Sequence, residues 1–172
     1  MITCTTNIYT QIDSPIGTII LTSDGQALTG LYTSAHKYEA ELSDRQSVSI
    51  DRSEILSKAK EELQLYFAGK LTEFTVPVAK SGTPFQQRVY EQLCLIPYGE
   101  TISYGELAAR VGNPNASRAV GMANGRNPIS IIVPCHRVIG ANRTLTGYGG
   151  GLPRKQFLLE LEKANASCAL DR

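Results

Sequence analysis

The stretch SYGELAARVGNPNASRAVGMANG, residues 103–125, decides how the second half of this 172-residue chain folds. Ser103 followed by Glu106 forms a capping box, in which each side chain satisfies a backbone N–H at a helix start. Leu107, Ala108 and Val111 then fall at helical spacing as a buried face, and Gly112 is a natural stop. Asn113 and Pro114 restart the chain, and the next helical run, about ten residues long, ends at Asn124-Gly125. Two short helices joined by a tight, glycine-containing turn predict a helix-turn-helix, although a helical hairpin buried in a core suits the same spacing.

The second helix of that pair carries Ala116, Ser117, Ala119, Gly121 and Ala123 around one long side chain, Arg118. A helix with ordinary side chains is roughly 10–12 Å across, whereas the minor groove of B-DNA is about 6 Å wide. Small side chains would let this helix approach a widened minor groove with Arg118 directed at the base stack. Close packing against another helix is the alternative.

On the N-terminal side, TPFQQRVYEQLCLIP (83–97) predicts a helix with Thr83 as cap, Pro84 at the first position and Gln86 closing a second capping box. Its apolar face is Phe85, Val89, Leu93 and Ile96, and Pro97 ends it. The preceding EFTVPVAKSGTP (73–84) mixes a short strand with turn formers, which places a domain boundary near residue 80. Residues 1–80 then form a first domain. Apolar runs near 7–12, 18–23 and 27–33, separated by SPIG and SDGQ, predict an antiparallel meander. Residues 34–52 read as a loop or linker. SEILSKAKEELQLYFAGKL (53–71) predicts a helix whose face is Ile55, Leu56, Ala59, Leu63, Tyr66 and Phe67, stopped at Gly69. The expected class is α+β, with a sheet-plus-helix domain at 1–80 and a mostly helical domain at 81–172.

Composition agrees with a water-soluble globular chain, 42% hydrophobic and 19% charged. No apolar run reaches the roughly 18 residues of a membrane span, so a cytoplasmic protein is expected. Cys4, Cys94, Cys135 and Cys168 lie far apart, and His36 and His136 supply no metal-ligand spacing. Neither a disulfide framework nor a metal site is expected. The net charge of +1 hides an asymmetry: residues 1–79 carry 6 Lys/Arg against 10 Asp/Glu, and residues 80–155 carry 9 against 3. A basic second half is a plausible footprint for a polyanion.

The stretch IIVPCHRVIG (131–140) carries the candidate chemistry. Ser130–Val133 predicts a short buried strand, which Pro134 stops because it has no N–H to donate. Cys135 therefore falls in a turn, where His136 need not face away from it. A thiol of pKa near 8.5 is only about 3% ionised at pH 7, and a pKa lowered to about 7 raises the thiolate roughly fifteenfold. A histidine oriented by a carboxylate can supply that activation.

NPISIIVPCHRVIG, with SYGELA, SRAVGMANGRNP and TGYGGG…RKQFLLELE around it, resembles the O6-alkylguanine-DNA alkyltransferases. The likeness runs in order from about Gly82 to Glu162. The resemblance implies a ribonuclease-H-like first domain and single-use transfer of an alkyl group from O6 of guanine, and also from O4 of thymine, to Cys135. His136 would draw the thiol proton through a water, and Glu162 would orient His136. Tyr104 would serve the leaving base at its N3 edge.

The remaining assignments come from the same resemblance. Backbone groups of Cys135 and Val138 would read the exocyclic amine, with Tyr148 and Gly149 lining the pocket. Arg118 would fill the gap left by an extruded nucleotide, from a helix start formed by Asn113, Ala116, Ser117 and Ala119. Asn127 would tie that helix to the reactive turn. The implied partner is double-stranded DNA containing O6-alkylguanine, bound through the minor groove by a monomer without cofactor; cooperativity along DNA stays open. Tyr90 stands where many relatives have tryptophan, and the zinc ligands of some animal relatives have no matching set here. A helix-turn-helix lesion-binding or regulatory module without covalent chemistry is the alternative reading, and a cysteine hydrolase a second.

Overall fold

The computed structural model describes residues 7–34 and 42–170. Cys4 and His36, and residues 35–41 of the segment read as a linker, lie outside them. The chain divides into two compact units, residues 1–79 and 80–172.

In the first unit, β1 (Ile8–Ile12), β2 (Ile19–Ser23) and β3 (Leu28–Thr33) form the expected meander, paired Ile12↔Ile19 and Ile19↔Thr33. Gly17, at φ +99°, closes the SPIG turn by donating its N–H to the Ser14 carbonyl at 3.0 Å. One expectation fails at the far edge. Residues 46–47 are not loop but a fourth strand, β4 (Gln46–Ser47), running parallel to β1, and a 3-10 turn follows at Ile50–Arg52. The free edge of β1 needs partners: Gln46 N–H reaches the Asn7 carbonyl at 2.9 Å and Val48 N–H the Tyr9 carbonyl at 3.0 Å. Two residues are too few to show an alternating pattern.

Helix α1 (Glu54–Phe67) is capped by the Ser53 hydroxyl, which accepts from Leu56 N–H at 3.3 Å. It ends in a Schellman arrangement, Lys70 N–H to the Leu65 carbonyl and Gly69 N–H to the Tyr66 carbonyl. Leu56, Ala59, Leu63 and Tyr66 are buried and the helix packs on β1, β2 and β3. Glu62 shares that face, and its buried carboxylate accepts from Thr75 N–H, Thr75 hydroxyl and Val76 N–H. The EFTVP segment is pinned to α1 in this way and joins the sheet only at one bridge, Leu28↔Val78.

The second unit contains α2 (Pro84–Cys94), β5 (Ile102–Ser103), α3 (Tyr104–Arg110), α4 (Ser117–Gly125), a 3-10 turn at Cys135–Arg137, β6 (Val138–Ile139) and α5 (Leu152–Leu170). Both capping boxes form as expected, Thr83 with Gln86 and Ser103 with Glu106. Helices α2, α3 and α4 pack on one another around Val89, Tyr90, Leu93, Leu107, Ala108, Val120 and Ala123, all buried. Tyr90 fills this core at 1% exposure. Strands β5 and β6 pair in parallel, Ile102↔Val138 and Ser103↔Ile139, which fastens the start of α3 to the segment leaving the reactive turn.

Three expectations for this unit change. Val111 is half-buried, not a core residue, because it is the C-cap, where the helical face has already turned away. The small residues of α4 do not share one face: Ala123 points into the core, whereas Arg118, Ala119 and Met122 are exposed. Finally, residues 130–133 form no strand. They make a turn in which Ile131 takes φ +73°, Ile132 N–H bonds the Ser130 carbonyl and Val133 N–H bonds the Ile129 carbonyl. The ladder partners a strand would need come instead from a side chain, Asn127.

Candidate active site

Asn127, 2% exposed, donates its amide to the Val133 carbonyl at 2.7 Å and the Ile129 carbonyl at 3.4 Å, and accepts from Ile129 N–H at 3.0 Å. One turn earlier on α4, Asn124 donates to the Cys135 carbonyl at 3.2 Å. These two asparagines fasten the 129–135 segment, with Ile131 at φ +73°, to the end of α4. Side-chain amides can do this because each offers both donors and an acceptor.

Cys135 opens the 3-10 turn at 3% exposure, and His136 beside it is fully buried. The His136 Nε2 lies 2.7 Å from Glu162 Oε1. Since the carboxylate can only accept, Nε2 carries the proton and Nδ1 keeps its lone pair. Nδ1 is buried without a hydrogen-bond partner. Glu162 comes from α5 and does more than orient this ring: it accepts from Arg137 Nε at 2.9 Å and Nη2 at 3.0 Å, and from Gly99 N–H at 3.2 Å. Arg137 Nη1 reaches the Ile96 carbonyl at 2.6 Å and the guanidinium lies 5.6 Å from the Tyr98 ring centroid.

The charge states follow from these contacts. Burial pushes the His136 pKa below its ordinary 6.5 and outweighs the bond to Glu162, so the imidazole is neutral at pH 7 and able to act as a base. For Glu162 burial acts upward, but the hydrogen bonds from His136 and Arg137 and the Arg137 charge together win, and the carboxyl is held well below the usual range. Burial raises the Cys135 thiol; Asn127 and the Lys155 charge oppose it. The resting thiol is therefore protonated, with a base beside it.

Tyr104, the first residue of α3, donates its hydroxyl to the Thr146 carbonyl at 3.0 Å and lies 3.4 Å from the Gly147 carbonyl. Its pKa is raised, chiefly by burial. The Tyr148 hydroxyl is sealed from solvent beside Ser130, neither having a partner of normal hydrogen-bond geometry, and burial lifts its pKa well above 10. Gly149 follows it, half-buried. Val138 is buried, and its carbonyl accepts from Lys155 Nζ. The Cys135 carbonyl accepts twice, from the Asn124 side-chain amide and from the Val138 N–H.

Cys135, His136, Glu162, Asn127 and Val138 are buried together, and Tyr104 and Tyr148 stand half-buried beside them. The residues expected to meet DNA stand apart from these: Arg118 and Ala119 are exposed on α4, Ala116 is its N-cap and Ser117 its first residue. Asn113 is exposed in the turn, where its side chain accepts from Asn115 N–H at 3.2 Å.

Sequence reasoning missed Arg137, Asn124 and Lys155 as members of the site. Lys155 left a legible signal: with Leu158 and Glu162 it occupies the i, i+3, i+7 face of α5, where a cation breaks the apolar pattern. Among the described residues no group of His, Cys, Asp and Glu could hold a metal ion.

Comparison with known proteins gives a consistent result. Residues 84–164 match the model described as 6-O-methylguanine DNA methyltransferase, DNA binding domain, and residues 7–79 the ribonuclease-like domain of the same family. A methylated-DNA–protein-cysteine methyltransferase of Mycobacterium tuberculosis is 54% identical over 162 residues, covering 94% of this chain and 96% of its own. One of Methanosarcina acetivorans is 51% identical over 154 residues, 90% of this chain and 97% of its own. Among solved structures, Mycobacterium tuberculosis OGT in complex with DNA superposes with a TM-score of 0.85 at 52% identity, covering 91% of this chain and 93% of that one.

Proposed function

The chain belongs to the 6-O-methylguanine DNA methyltransferase family, and from that premise we propose that it repairs DNA by direct reversal, with Cys135 as the alkyl acceptor. The observation that carries this reading is the arrangement around Cys135: a buried thiol, a neutral imidazole next to it with one nitrogen unpartnered, and a carboxylate fixing the other nitrogen.

In this reading His136 takes the thiol proton through one water at Nδ1, and the imidazolium that forms is stabilised by Glu162. The thiolate attacks the methyl carbon on O6 of the guanine. The S–C bond forms as the C–O6 bond breaks, and the electron pair of that bond passes to the purine. Tyr104 serves the N3 edge of the leaving base, which regains a proton, with His136 returning the one it took. The product thioether is a poor leaving group, so each molecule acts once. O4-alkylthymine is the second substrate of this reading.

The thiol is 3% exposed, so a base inside a duplex is out of its reach, and the damaged nucleotide has to leave the stack. In this reading Arg118, exposed at the start of α4, fills the vacated position, and Asn113, Ala116, Ser117 and Ala119 lie against the minor-groove backbone. Cys135 and Val138 carbonyls, Tyr148 and Gly149 line the base pocket, and Asn127 keeps α4 and the thiol in register. The protein acts as a monomer on double-stranded DNA containing O6-alkylguanine, and no cofactor enters any step.

A titration tests the proposal. A duplex bearing one O6-methylguanine is incubated with increasing protein and the lesion remaining is counted. Loss of one lesion per protein molecule, abolished by Cys135→Ala with lesion binding intact, is expected. Multiple turnovers, or full repair by the alanine variant, would overturn it.

A further inference from the structure

We infer that Lys155 is the positioning cation of the reactive pocket, tying the Val138 and Thr146 segments together and finding its counter-charge only in the ionised Cys135. The inference rests on the proposed transfer to Cys135.

Lys155 is fully buried in the first turns of α5. Its ammonium donates to the Val138 carbonyl at 2.5 Å and the Thr146 carbonyl at 2.7 Å, and Nζ stands 5.9 Å from the centroid of the Tyr104 ring. Two of its three donors are thus spent on neutral acceptors. Both acceptors matter to the site. Val138 follows the CHR turn, and the Thr146 carbonyl also receives the Tyr104 hydroxyl. A single side chain therefore sets the spacing between the thiol-bearing turn, the phenol and the loop leading to Tyr148.

The unusual feature is the missing carboxylate. Among the described residues Lys155 takes part in no ion pair, and Glu162, two turns further along the same helix, is committed to His136 and Arg137. A buried ammonium without an anion is one of the more costly arrangements a fold can hold. Burial accordingly pulls the Lys155 pKa down to about 8, and the Cys135 charge is what pulls it back up. Lys155 in turn lowers the Cys135 thiol and the His136 imidazole. The titratable groups around it are thus Cys135 and His136 on the reactive turn and Tyr104 on α3.

A charge balance over the reaction follows. When the thiol ionises, its negative charge meets Lys155. When sulfur takes the methyl group, the negative charge moves to the guanine and is neutralised as the base regains the proton that His136 took. The neutral thioether, like the resting thiol, offers Lys155 no counter-charge, so the cation favours the ionised sulfur over both.

The test uses Lys155→Met, of similar length without charge, and Lys155→Arg, which keeps the charge. Alkylation of Cys135 by iodoacetamide is followed against pH by peptide mass. In Lys155→Met the apparent thiol pKa should rise by about one unit, an approximately tenfold loss of reactivity near neutral pH. Lys155→Arg should stay nearer the wild type. A wild-type thiol titration in Lys155→Met overturns the inference.

If neither variant folds, the Lys155 titration in wild-type protein decides: methylation should lower its pKa, and an unchanged value refutes the idea. Thiol titration needs no DNA, so its result is separable from failure of the repair reaction itself.

Discussion

Replacing Glu162 by glutamine is the perturbation whose size the structure fixes best. The carboxylate accepts from His136 Nε2, from Arg137 Nε and Nη2, and from Gly99 N–H, and both Glu162 and His136 are fully buried. Glutamine keeps the volume but removes the charge, and its amide puts a donor where an acceptor stood. Arg137, 7% exposed, is left as a buried cation without an anion. Breaking a buried pair from one side costs about 3–5 kcal/mol. Against a typical total of about 5–15 kcal/mol this is a large fraction, equivalent to roughly 6–20 °C in melting temperature.

Urea unfolding of Glu162→Gln should show that loss as a lowered midpoint at unchanged slope. Adding Arg137→Met, which removes the stranded charge, should restore part of it. Methyl transfer by the folded fraction should fall in both variants, since His136 loses its orienting acceptor in each. A single variant within about 1 kcal/mol of wild type, or a double variant worse than the sum of the two single ones, would refute the reasoning from the shared carboxylate.

Other substitutions and conditions give further expectations. Asn127→Ala removes two donors to buried carbonyls and one acceptor, and should cost about 3 kcal/mol or more by urea unfolding; a loss under 1 kcal/mol would show that the 129–133 turn holds itself. Arg118→Ala should slow repair of a duplex lesion by about a hundredfold, the worth of a few kcal/mol of unstacking, while leaving transfer from the free O6-methylguanine base unchanged. Equal slowing on both substrates would place Arg118 in the chemistry instead.

Stability should also depend on acid in two stages. His136 has a folded pKa below its ordinary 6.5, so as pH falls through 6.5 the unfolded chain takes up a proton that the native state refuses, and stability declines. Glu162 has a folded pKa below its ordinary 4.5, so its contribution, complete above 4.5, is lost as pH falls further. Urea midpoints measured from pH 8 down to about pH 2.5 check both, and His136→Gln should flatten the first decline only.

The parts of the fold that local chemistry determines were readable from the chain. The meander is punctuated by Gly17 and by the Asp24-Gly25 turn, and both capping boxes in the second unit formed where Ser103–Glu106 and Thr83–Gln86 placed them. What failed depends on partners distant in sequence. Strand β4 exists because β1 has a free edge, and two residues carry no period. The apolar run at 130–133 reads as a strand until Asn127 supplies the hydrogen bonds that permit a turn.

The same division holds for the candidate site. Cys135, His136 and Glu162 carry the resemblance, and of the three His136 and Glu162 are directly hydrogen-bonded. Arg137 and Asn124 gave no local sign, because their importance lies in what they touch from other elements, the Glu162 carboxylate on α5 and the Cys135 carbonyl beyond the 126–134 segment. Lys155 was visible only as a polar intrusion on an apolar helical face.

The most direct measurement is to locate the methyl group after reaction. Protein incubated with a slight excess of duplex carrying O6-methylguanine is digested and its cysteine peptides are weighed. The account predicts one added methyl on the peptide containing buried Cys135 and none on those containing Cys4, Cys94 or Cys168. Methyl on any of those three thiols instead, or repair of the lesion with all four cysteines unmodified, would contradict it.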